Sequence, residues 1–573
     1  MKEDCLAIDN TDMRYRWLRP EVVFLIGLVI SVYLATMTML PVRGEESRWA
    51  RVAAEMLESG DWIVPRQQGL PFLDRPPLGP WAMALVGWVR GHVDLVAVRL
   101  PSVLAILATT LLVYGYSCRS LSRLGAFAAG VTYASFGLVL QIGWTGENEA
   151  VYTLLLAGAL LLWHWGDVRS WPAVLTWSVG YGLAALATLV KGPQAPIYFL
   201  AVTTVYLLLQ RRLRRLVSLP HLAGIGVFLL VLGLWLVPFY LASGWHAVVA
   251  ILTRTSAVRY GLDGLLSHLA MYPLEVGASL VPGVVVLAGL LYPRILRQLG
   301  DAPAEVRFAL TAVLVTFPTV WLAQEARPRY FMPLFPCVAV LVGWAIERLV
   351  AARPASAAAR WWQLCMAAAA AGIAGFGVVL LVARHTSSTH LQAIALPPSQ
   401  AVLYAGVVFG VAGVLVWAAA RVHVRSAWVA VMALAVFQGL LFRGVLMRAQ
   451  MHNANDMTEV VAHVRASLPA DIRLVSFGPA HHRFAYYYEA LIPQLPWPRS
   501  EADVPPDVTY FCFDPRTCHV PASVVASAAS LATHEPHILP FAWEQIARLD
   551  GDRNKREIPE EVTIVGRILR SPQ

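Results

Sequence analysis

The chain has 573 residues, of which 57% are hydrophobic and only 14% are charged, and its mean hydropathy is +0.58. Soluble globular domains carry about 25% charged residues, so this composition excludes a soluble protein and indicates an integral membrane protein. The formal net charge of +9 does not by itself indicate nucleic-acid binding, because basic residues at the cytoplasmic ends of membrane spans account for most of it.

Apolar segments long enough to cross a bilayer recur along the chain, which predicts an α-helical polytopic membrane protein. A bilayer-spanning helix needs about 20 mostly apolar residues. By this criterion we predict about thirteen spans, at 21–40, 98–116, 124–142, 150–164, 172–190, 194–209, 220–240, 276–292, 308–323, 331–347, 361–383, 401–420 and 427–445. The first of them lacks a signal-peptide cleavage pattern, so we expect it to be retained.

The distribution of lysine and arginine predicts the orientation of these spans. With the N-terminus inside, the inside segments are richer in basic residues than the outside loops and include the run RRLRR at 211–215. We therefore expect a cytoplasmic N-terminus and two large outside loops, at 41–97 and 241–275. Residues 1–445 form the predicted membrane module, and the more polar residues 446–573 form a predicted domain on the outside.

The first outside loop is predicted to contain helices of its own. Apolar residues recur at helical spacing from Glu46 to Ser59, and Gly60 is a favourable helix stop, so an amphipathic helix is predicted there. Trp49 and Trp62 are expected to anchor this helix at the depth of the lipid headgroups. A second interfacial helix is predicted at 78–90.

Acidic residues stand at the start of the first of these helices. Glu45 and Glu46 lie where the first span meets water, and a second charged pair, Asp74 and Arg75, precedes the second helix. Acidic residues at a helix N-terminus are favoured by the helix dipole alone. A carboxylate in this place also suits a general base, or a group that orients an acceptor nucleophile. Both interpretations stay open at this point.

Further charged residues fall on the predicted outside face. An acidic pair, Glu147 and Glu149, either enforces the topology or adds a carboxylate to the site. Basic residues on this face break the positive-inside pattern and indicate an anionic partner such as a phosphate; they are Lys191, Arg254, Arg259, Arg327 and Arg329. Because these groups do not lie deep in a span and no internal repeat is evident, an interfacial site for a charged, lipid-linked substrate is favoured over a transporter.

Residues 446–573 are predicted to form a small α/β domain. The segments DIRLVSFG, DVTYFCFD and EEVTIVGRIL have the composition and alternation of strands, and 454–468 has helical spacing. His481 and His482 fit a metal or sugar-stacking surface, or a domain edge that packs on the membrane module. Cys512 and Cys518 fit either a small disulfide loop or two reduced thiols.

The first loop also carries a family resemblance. It contains Glu45-Glu46-Ser47-Arg48-Trp49, then EMLESGDWIVP at 55–65, then Asp74-Arg75-Pro76 and Trp81. Over about 20–350 the chain resembles the aminoarabinose transferases that modify lipid A, and the broader protein mannosyltransferase-like group with the GT-C fold. Further matching positions are Glu149, Lys191-Gly192, Arg259-Tyr260 and Arg327-Pro328-Arg329-Tyr330.

The resemblance implies an inverting glycosyltransferase. A sugar would move from a polyprenyl-phosphate donor to a lipid such as lipid A, or to another acceptor, on the periplasmic face of a bacterial inner membrane. Residues 446–573 would then form a periplasmic domain. Glu45, Glu46 and Glu149 would be the catalytic acids, supported by Arg48 and Asp74, and no cofactor would be required. Other matched residues would bind the donor phosphate as charge develops on it; they are Arg75, Lys191, Arg259, Arg327, Arg329 and Tyr330.

Departures from the family pattern leave several alternatives. The first acid of the family's pair is an aspartate, which is Glu45 here, so Glu46 could take over its role. Ser256 stands where a histidine is expected, so the sequence does not support a divalent metal, although a metal is compatible with the scheme. The alternative functions are a protein O-mannosyltransferase and, from another class, a lipid-linked-glycan transporter or flippase or a non-catalytic sugar-binding membrane protein. We predict a monomer that does not bind nucleic acid.

Overall fold

The computed structural model describes residues 19–253, 264–353, 356–386, 388–392, 394–452, 456–469, 472–514, 539–550 and 562–569. The chain groups into two compact units. The first unit consists of Met1–Leu40, Leu73–Gly79 and Arg99–His452, and the second consists of Pro41–Phe72, Pro80–Val98 and Asn453–Gln573. Most of the first outside loop therefore folds with the C-terminal segment, whereas the short segment 73–79 folds with the membrane helices.

Helices make up most of the described residues. In chain order they are α1 (Pro20–Val32), α2 (Glu46–Ser59), α3 (Leu78–Arg90), α4 (Leu95–Ser117), α5 (Arg123–Ser135), α6 (Gly137–Ile142), α7 (Glu149–Val168), α8 (Ala173–Lys191), α9 (Gln194–Leu209), α10 (Leu219–Thr253), α11 (Leu265–Ser279), α12 (Gly283–Leu287), α13 (Pro293–Gln298), α14 (Ala304–Trp321), α15 (Phe335–Val350), α16 (Ala357–Val382), α17 (Thr389–Gln392), α18 (Pro398–Ala420), α19 (Val424–Leu441), α20 (Met447–His452), α21 (Thr458–Ser467) and α22 (His482–Tyr488). Nine helices in the described part of the chain are long and apolar enough to cross a membrane, or ten if a bent pair forms one span.

Every predicted span contains helical residues, and nine predicted spans coincide with the membrane-length helices. The remaining ones are short or broken. α1 ends at Val32, 124–142 divides into α5 and α6 at Phe136, α9 has 16 residues, and 276–292 contains a bend of 109°. The polytopic helical architecture is confirmed, and the total of about thirteen spans stays a prediction.

Close packing between α5 and α15 depends on glycine. Gly343 of α15 lies against the backbone of α5, and a Cβ built on Gly343 would overlap the carbonyl oxygen of Gly125 and press on Ala129. Small residues at such crossings let membrane helices approach closely, and van der Waals contact then holds them together. The span Met332–Val350, which contains α15, is 89% buried. The glycine contact therefore lies in the core of the first unit.

The predicted helices of the first outside loop are confirmed. α2 and α3 have the predicted bounds, and Gly60 ends α2 in the left-handed conformation with a φ of 69°. A short antiparallel hairpin, β1 (Arg66–Gln67) and β2 (Leu70–Pro71), follows α2. The predicted anchoring role of Trp49 is wrong, because Trp49 is only 5% exposed and packs edge-to-face on Phe72. The apolar face of α2 therefore covers protein.

The C-terminal part of the second unit contains a five-stranded mixed sheet. Its strands β3 (Val475–Phe477), β4 (Gln494–Leu495), β5 (Tyr510–Phe513), β6 (Trp543–Asp550) and β7 (Val562–Ile568) lie in the order β4-β3-β5-β7-β6. β3 is parallel to β4 and β5, and β7 is antiparallel to β5 and β6. Phe511 and Phe513 pack on one face, and Cys512 packs with α21 and α22 on the other. The predicted α/β fold of this segment is confirmed.

Replacement of Gly343 by alanine is expected to lower the thermal stability of the protein. The added Cβ meets backbone that cannot rotate away, and such overpacking costs about 1–3 kcal/mol. Gly372, in α16, is a matched control because a Cβ there meets nothing within 4 Å. Gly372→Ala should leave the melting temperature unchanged or raise it, since alanine is the better helix former. Thermal unfolding in detergent checks both variants, and equal melting temperatures would contradict the packing argument.

Candidate active site

A buried ion pair joins the start of one membrane helix to the end of the next. Glu149 is the first residue of α7, Lys191 is the last residue of α8, and Lys191 Nζ donates to Glu149 Oε1 at 2.9 Å. An acid at a helix N-terminus and a base at a helix C-terminus each complement the helix dipole. Both side chains are only 8% exposed, so each charge depends on the other for compensation.

A second ion pair lies beside the first. Arg329, in the 3₁₀ turn Pro328–Tyr330, donates from Nη1 to Glu147 Oε2 at 2.7 Å. Its Nε lies 4.0 Å from Glu149 Oε1. Arg329 thus lies within 4.0 Å of both Glu147 and Glu149 and links the two ion pairs into one cluster.

Aromatic rings and polar groups surround the lysine. The ring centroids of Tyr330 and Tyr152 lie 5.1 Å and 5.7 Å from Lys191 Nζ, which places both rings within range of a cation–π interaction. The hydroxyl of Tyr152 donates to Gln194 Oε1 at 3.5 Å, and Gln194 Nε2 donates to the hydroxyl of Tyr198 at 2.8 Å. Convergent hydroxyl and amide groups beside aromatic rings suit a polar ligand such as a sugar.

The turn at 73–79 brings a third cation to this cluster. Arg75 interacts electrostatically with Glu149 and Lys191. The start of α3, which follows Arg75, lies so close to Asn148 that a Cβ on Gly79 would overlap the Asn148 side-chain amide. The structure thus brings together predicted site residues that are far apart in sequence, namely Arg75, Glu149, Lys191, Arg329 and Tyr330.

Glu45 and Glu46, in the second unit, have different surroundings. Glu46 is fully buried, and its Oε1 accepts a hydrogen bond from the backbone N–H of Arg43 at 2.6 Å. Glu45 is the N-cap residue of α2, its side chain is 42% exposed, and its Oε2 lies 3.0 Å from Arg48 Nη1. Glu46 therefore fixes the start of the helix, whereas the carboxylate of Glu45 is accessible.

Asp61, in the GDW segment of the matching motif, holds the chain after α2. Its Oδ1 accepts hydrogen bonds from the backbone N–H groups of Ile63 and Val64 at 3.1 Å and 3.0 Å, and its Oδ2 accepts one from Arg66 Nη2 at 3.2 Å. Partial burial by itself raises the pKa of this carboxyl group. The backbone donors and the guanidinium together outweigh burial and hold the pKa below its ordinary value.

Other predicted site residues are less central. Arg327 is exposed, and its backbone carbonyl accepts a hydrogen bond from the hydroxyl of Tyr272 at 3.5 Å. Asp74 is half-buried in the turn that carries Arg75. Arg254, Arg259 and Cys518 lie outside the described residues, so the role of Arg259 and the Cys512–Cys518 disulfide stay predictions. Within the described ranges no group of three or more His, Cys, Asp or Glu side chains could hold a metal ion.

Arg99 is a site-organising residue that the sequence analysis missed. It is fully buried in α4. Its Nη1 donates to the carbonyl oxygens of Met37 and Leu40 at 2.6 Å and 2.7 Å, and its guanidinium lies over Trp144 at 4.8 Å. It therefore ties the end of the first membrane segment to the acidic loop at 143–149. The sequence does carry a signal for Arg99, because an arginine within an otherwise apolar predicted span indicates a functional or structural role.

Comparison with known proteins agrees with the resemblance inferred from the sequence. Residues 74–237 match the family described as dolichyl-phosphate-mannose-protein mannosyltransferase. The chain is 28% identical over 360 residues to undecaprenyl phosphate-alpha-4-amino-4-deoxy-L-arabinose arabinosyl transferase 2 of Pseudomonas fluorescens, which covers 60% of this chain and 58% of that protein. It is 30% identical over 320 residues to such a transferase of Pseudomonas aeruginosa, and this match covers 53% of this chain and 56% of that protein. The chain spans little more than half the length of these curated relatives.

Among solved structures, the chain is similar to ArnT from Cupriavidus metallidurans. The structure of that protein bound to undecaprenyl phosphate matches with a TM-score of 0.67 at 18% identity, and the match covers 96% of this chain and 99% of that one. Its apo structure matches with a TM-score of 0.65 at 17% identity and the same coverage. The chain therefore has this fold. The predicted GT-C fold and the resemblance to the aminoarabinose transferases are confirmed.

Lys191→Met is expected to destabilise the protein, because it removes the charge closest to the buried Glu149 carboxylate. Loss of one partner of a buried ion pair typically costs about 3–5 kcal/mol. The double variant Lys191→Met/Glu149→Gln should recover much of this loss. Thermal unfolding of the two single variants and the double variant gives their coupling energy, and strictly additive effects would contradict the ion pair.

Asp61→Asn is expected to lower stability at neutral pH but not in acid. Because the folded-state pKa of Asp61 is depressed, its contribution is present above the unfolded-state pKa of about 3.9 and disappears as the pH falls through the folded-state value. The difference in melting temperature between wild type and variant should therefore shrink as the pH is lowered. Melting curves across a pH series test this, and a difference that grows in acid would reverse the assigned sign.

Proposed function

We propose that this protein is an integral membrane glycosyltransferase that moves a sugar from a polyprenyl-phosphate donor to a lipid acceptor. The observation that carries the proposal is the cluster of Lys191, Arg329 and Arg75 around Glu149 at the ends of membrane helices. Such a cluster suits an anionic group at the end of a lipid. ArnT from Cupriavidus metallidurans, which has the same fold, was solved with undecaprenyl phosphate bound.

The cations act on the leaving group in this proposal. The phosphodiester of the donor carries one negative charge, and cleavage between the anomeric carbon and the phosphate oxygen leaves a monoester with a second charge. Lys191, Arg329 and Arg75 therefore attract the transition state more strongly than the bound donor, which is the requirement for catalysis. The rest of the proposed phosphate-binding set is Arg259, Arg327 and Tyr330.

Glu149 acts through the lysine in this proposal. The resemblance places it among the catalytic acids, but its carboxylate accepts a hydrogen bond from Lys191 Nζ at 2.9 Å and is buried. We assign it the role of orienting Lys191 toward the donor phosphate. Glu147 does the same for Arg329, which it contacts at 2.7 Å.

Glu45 is the proposed general base. Its carboxylate is accessible, whereas that of Glu46 is buried against the backbone of Arg43. Glu45 takes the proton from the acceptor's hydroxyl group, the acceptor oxygen attacks the anomeric carbon opposite the phosphate, and polyprenyl phosphate leaves. The product therefore has the inverted configuration. Arg48, 3.0 Å from Glu45, orients the carboxylate.

The names of the similar proteins guide the choice of substrates. Both relatives are named for undecaprenyl phosphate and 4-amino-4-deoxy-L-arabinose. We therefore propose an undecaprenyl-phosphate-linked amino sugar as the first donor to test and lipid A as the first acceptor. We also propose a monomer in the bacterial inner membrane, with a cytoplasmic N-terminus and a periplasmic C-terminal segment, and with neither cofactor nor metal required.

A protein O-mannosyltransferase is the second candidate. It is favoured by the match of residues 74–237 to the dolichyl-phosphate-mannose-protein mannosyltransferase description. The same cations would serve a mannosyl donor, but the acceptor would be a hydroxyl group of a protein. Parallel reactions with lipid A and with a serine- and threonine-rich protein decide between the two candidates.

Glu45→Gln is expected to lower turnover by about 100-fold or more, since the amide cannot accept the acceptor's proton. Glu58→Gln is the matched control. Glu58 lies in the same helix, its side chain is also 42% exposed, and it pairs with Arg51 as Glu45 pairs with Arg48. Release of undecaprenyl phosphate from the donor by purified protein, with and without acceptor, measures the effect.

Full turnover in Glu45→Gln would contradict the role assigned to this residue. If the wild type cleaves no undecaprenyl-phosphate sugar with any acceptor tested, the proposed function itself is overturned. Movement of intact donor across proteoliposomes without cleavage would replace it with transport.

A further inference from the structure

The short segment that carries Glu45 is held by a helix near the other end of the chain. The backbone N–H of Val42 donates to the hydroxyl of Tyr487 at 3.1 Å. On the other side of Glu45, Ser47 Oγ and His482 Nδ1 share a hydrogen bond of 2.6 Å. Both partners belong to α22, so one short helix fixes the segment 42–47 at both ends.

The second of these contacts is buried. Ser47 is fully buried and His482 is 9% exposed. A buried hydroxyl that loses its partner destabilises the protein, because the hydroxyl has left water without a replacement hydrogen bond. His481 lies against His482, with the ring centroids 4.3 Å apart, and its Nδ1 accepts from the backbone N–H of Arg483 at the start of α22. The orientation of the His482 ring is therefore restricted from several sides.

A second set of contacts links the same two regions. The side chain of Gln68 accepts from the backbone N–H of Ala480 at 2.9 Å and donates to the carbonyl of Ile492 at 3.3 Å. Glu55 of α2 accepts in turn from the backbone N–H groups of Gln68 and Gly69 at 2.7 Å and 3.0 Å. The residues on either side of α22 therefore hold the hairpin, and the hairpin holds the middle of α2.

These contacts fix the position of the proposed base. Glu45 lies between Val42 and Ser47, and its own carboxylate contacts Arg48 on the same helix. A general base must be within hydrogen-bond reach of the proton it takes, and a displacement of about 1 Å can lower a rate 100-fold. A loop that is hydrogen-bonded to a packed domain holds its carboxylate in position more precisely than a loop attached only to membrane helices.

We propose, on the basis of the transferase function above, that His482 and Tyr487 are positioning residues for Glu45. Through them α22 sets the start of α2 and thereby the distance from the Glu45 carboxylate to the acceptor. The C-terminal segment is then a part of the catalytic machinery, in addition to any contact that it makes with an acceptor. Neither residue is assigned contact with the substrate.

Turnover of four single variants and one double variant tests the proposal. His482→Leu and Tyr487→Phe each remove one hydrogen bond, and the double variant that combines them should lower kcat by about tenfold or more with the donor KM unchanged. His482→Asn, with Tyr487 unchanged, should keep kcat near that of the wild type, because the side-chain amide can place a polar atom where Nδ1 lies. Ser476→Ala is the matched control: Ser476 is fully buried in β3 and donates to the carbonyl of Gly478 at 2.7 Å, within the C-terminal segment. It should lower stability without lowering kcat.

Amide hydrogen exchange gives a readout that does not require turnover. The amide of Val42 is bonded directly to Tyr487, so residues 42–48 should exchange faster in Tyr487→Phe and His482→Leu, but not in Ser476→Ala. If the wild type transfers no sugar, the proposed function fails while this experiment still reports on the contact. An unchanged kcat in the folded double variant, or unchanged exchange at 42–48, would overturn the positioning role.

Discussion

The first unit contains a buried ion pair, Lys191 and Glu149, whose charges are unfavourable to remove from water. Removal of an ammonium and a carboxylate from water costs several kcal/mol for each ion, about the net stability of a small domain. The contact between Lys191 and Glu149 offsets this cost only when the end of α8 meets the start of α7. That contact is surrounded by the rings of Tyr152 and Tyr330 and by the second ion pair at Arg329. Lys191 is therefore held in one orientation and is largely shielded from water, as the proposed phosphate-binding role requires.

The division of the chain explains why the first-loop motif is long. Residues 41–72, with Glu45 and Glu46, fold in the second unit, whereas 73–79, with Asp74 and Arg75, fold in the first. One stretch of sequence therefore supplies a carboxylate to one unit and a guanidinium to the other. Gly79, in the first turn of α3, contributes to the second task, because a Cβ there would overlap the side-chain amide of Asn148. The spacing within the motif is thus a structural requirement as well as a chemical one.

Local patterns predicted much of this structure. The 3.6-residue period and Gly60 gave the bounds of α2, and a lysine that breaks the positive-inside pattern pointed to the cation cluster. The anchoring of Trp49 was wrong because an apolar helix face looks the same whether lipid or protein covers it. The partners of Ser47 and Val42 could not be predicted, because they lie 435 and 445 residues away and no periodicity connects them. Glu45 and Glu46 were indistinguishable until the burial of Glu46 separated them.

The separation of Ser47 from His482 also has a consequence for biosynthesis. The segment that carries Ser47 leaves the ribosome 435 residues before His482 does, and all the membrane helices also precede α22 in the chain. Contacts between residues so distant in sequence form late, because bringing the two residues together costs much loop-closure entropy. A nascent or truncated chain can therefore insert its helices while the start of α2 is still unsupported. The contacts that fix the proposed base can therefore form only after α22 has been synthesised.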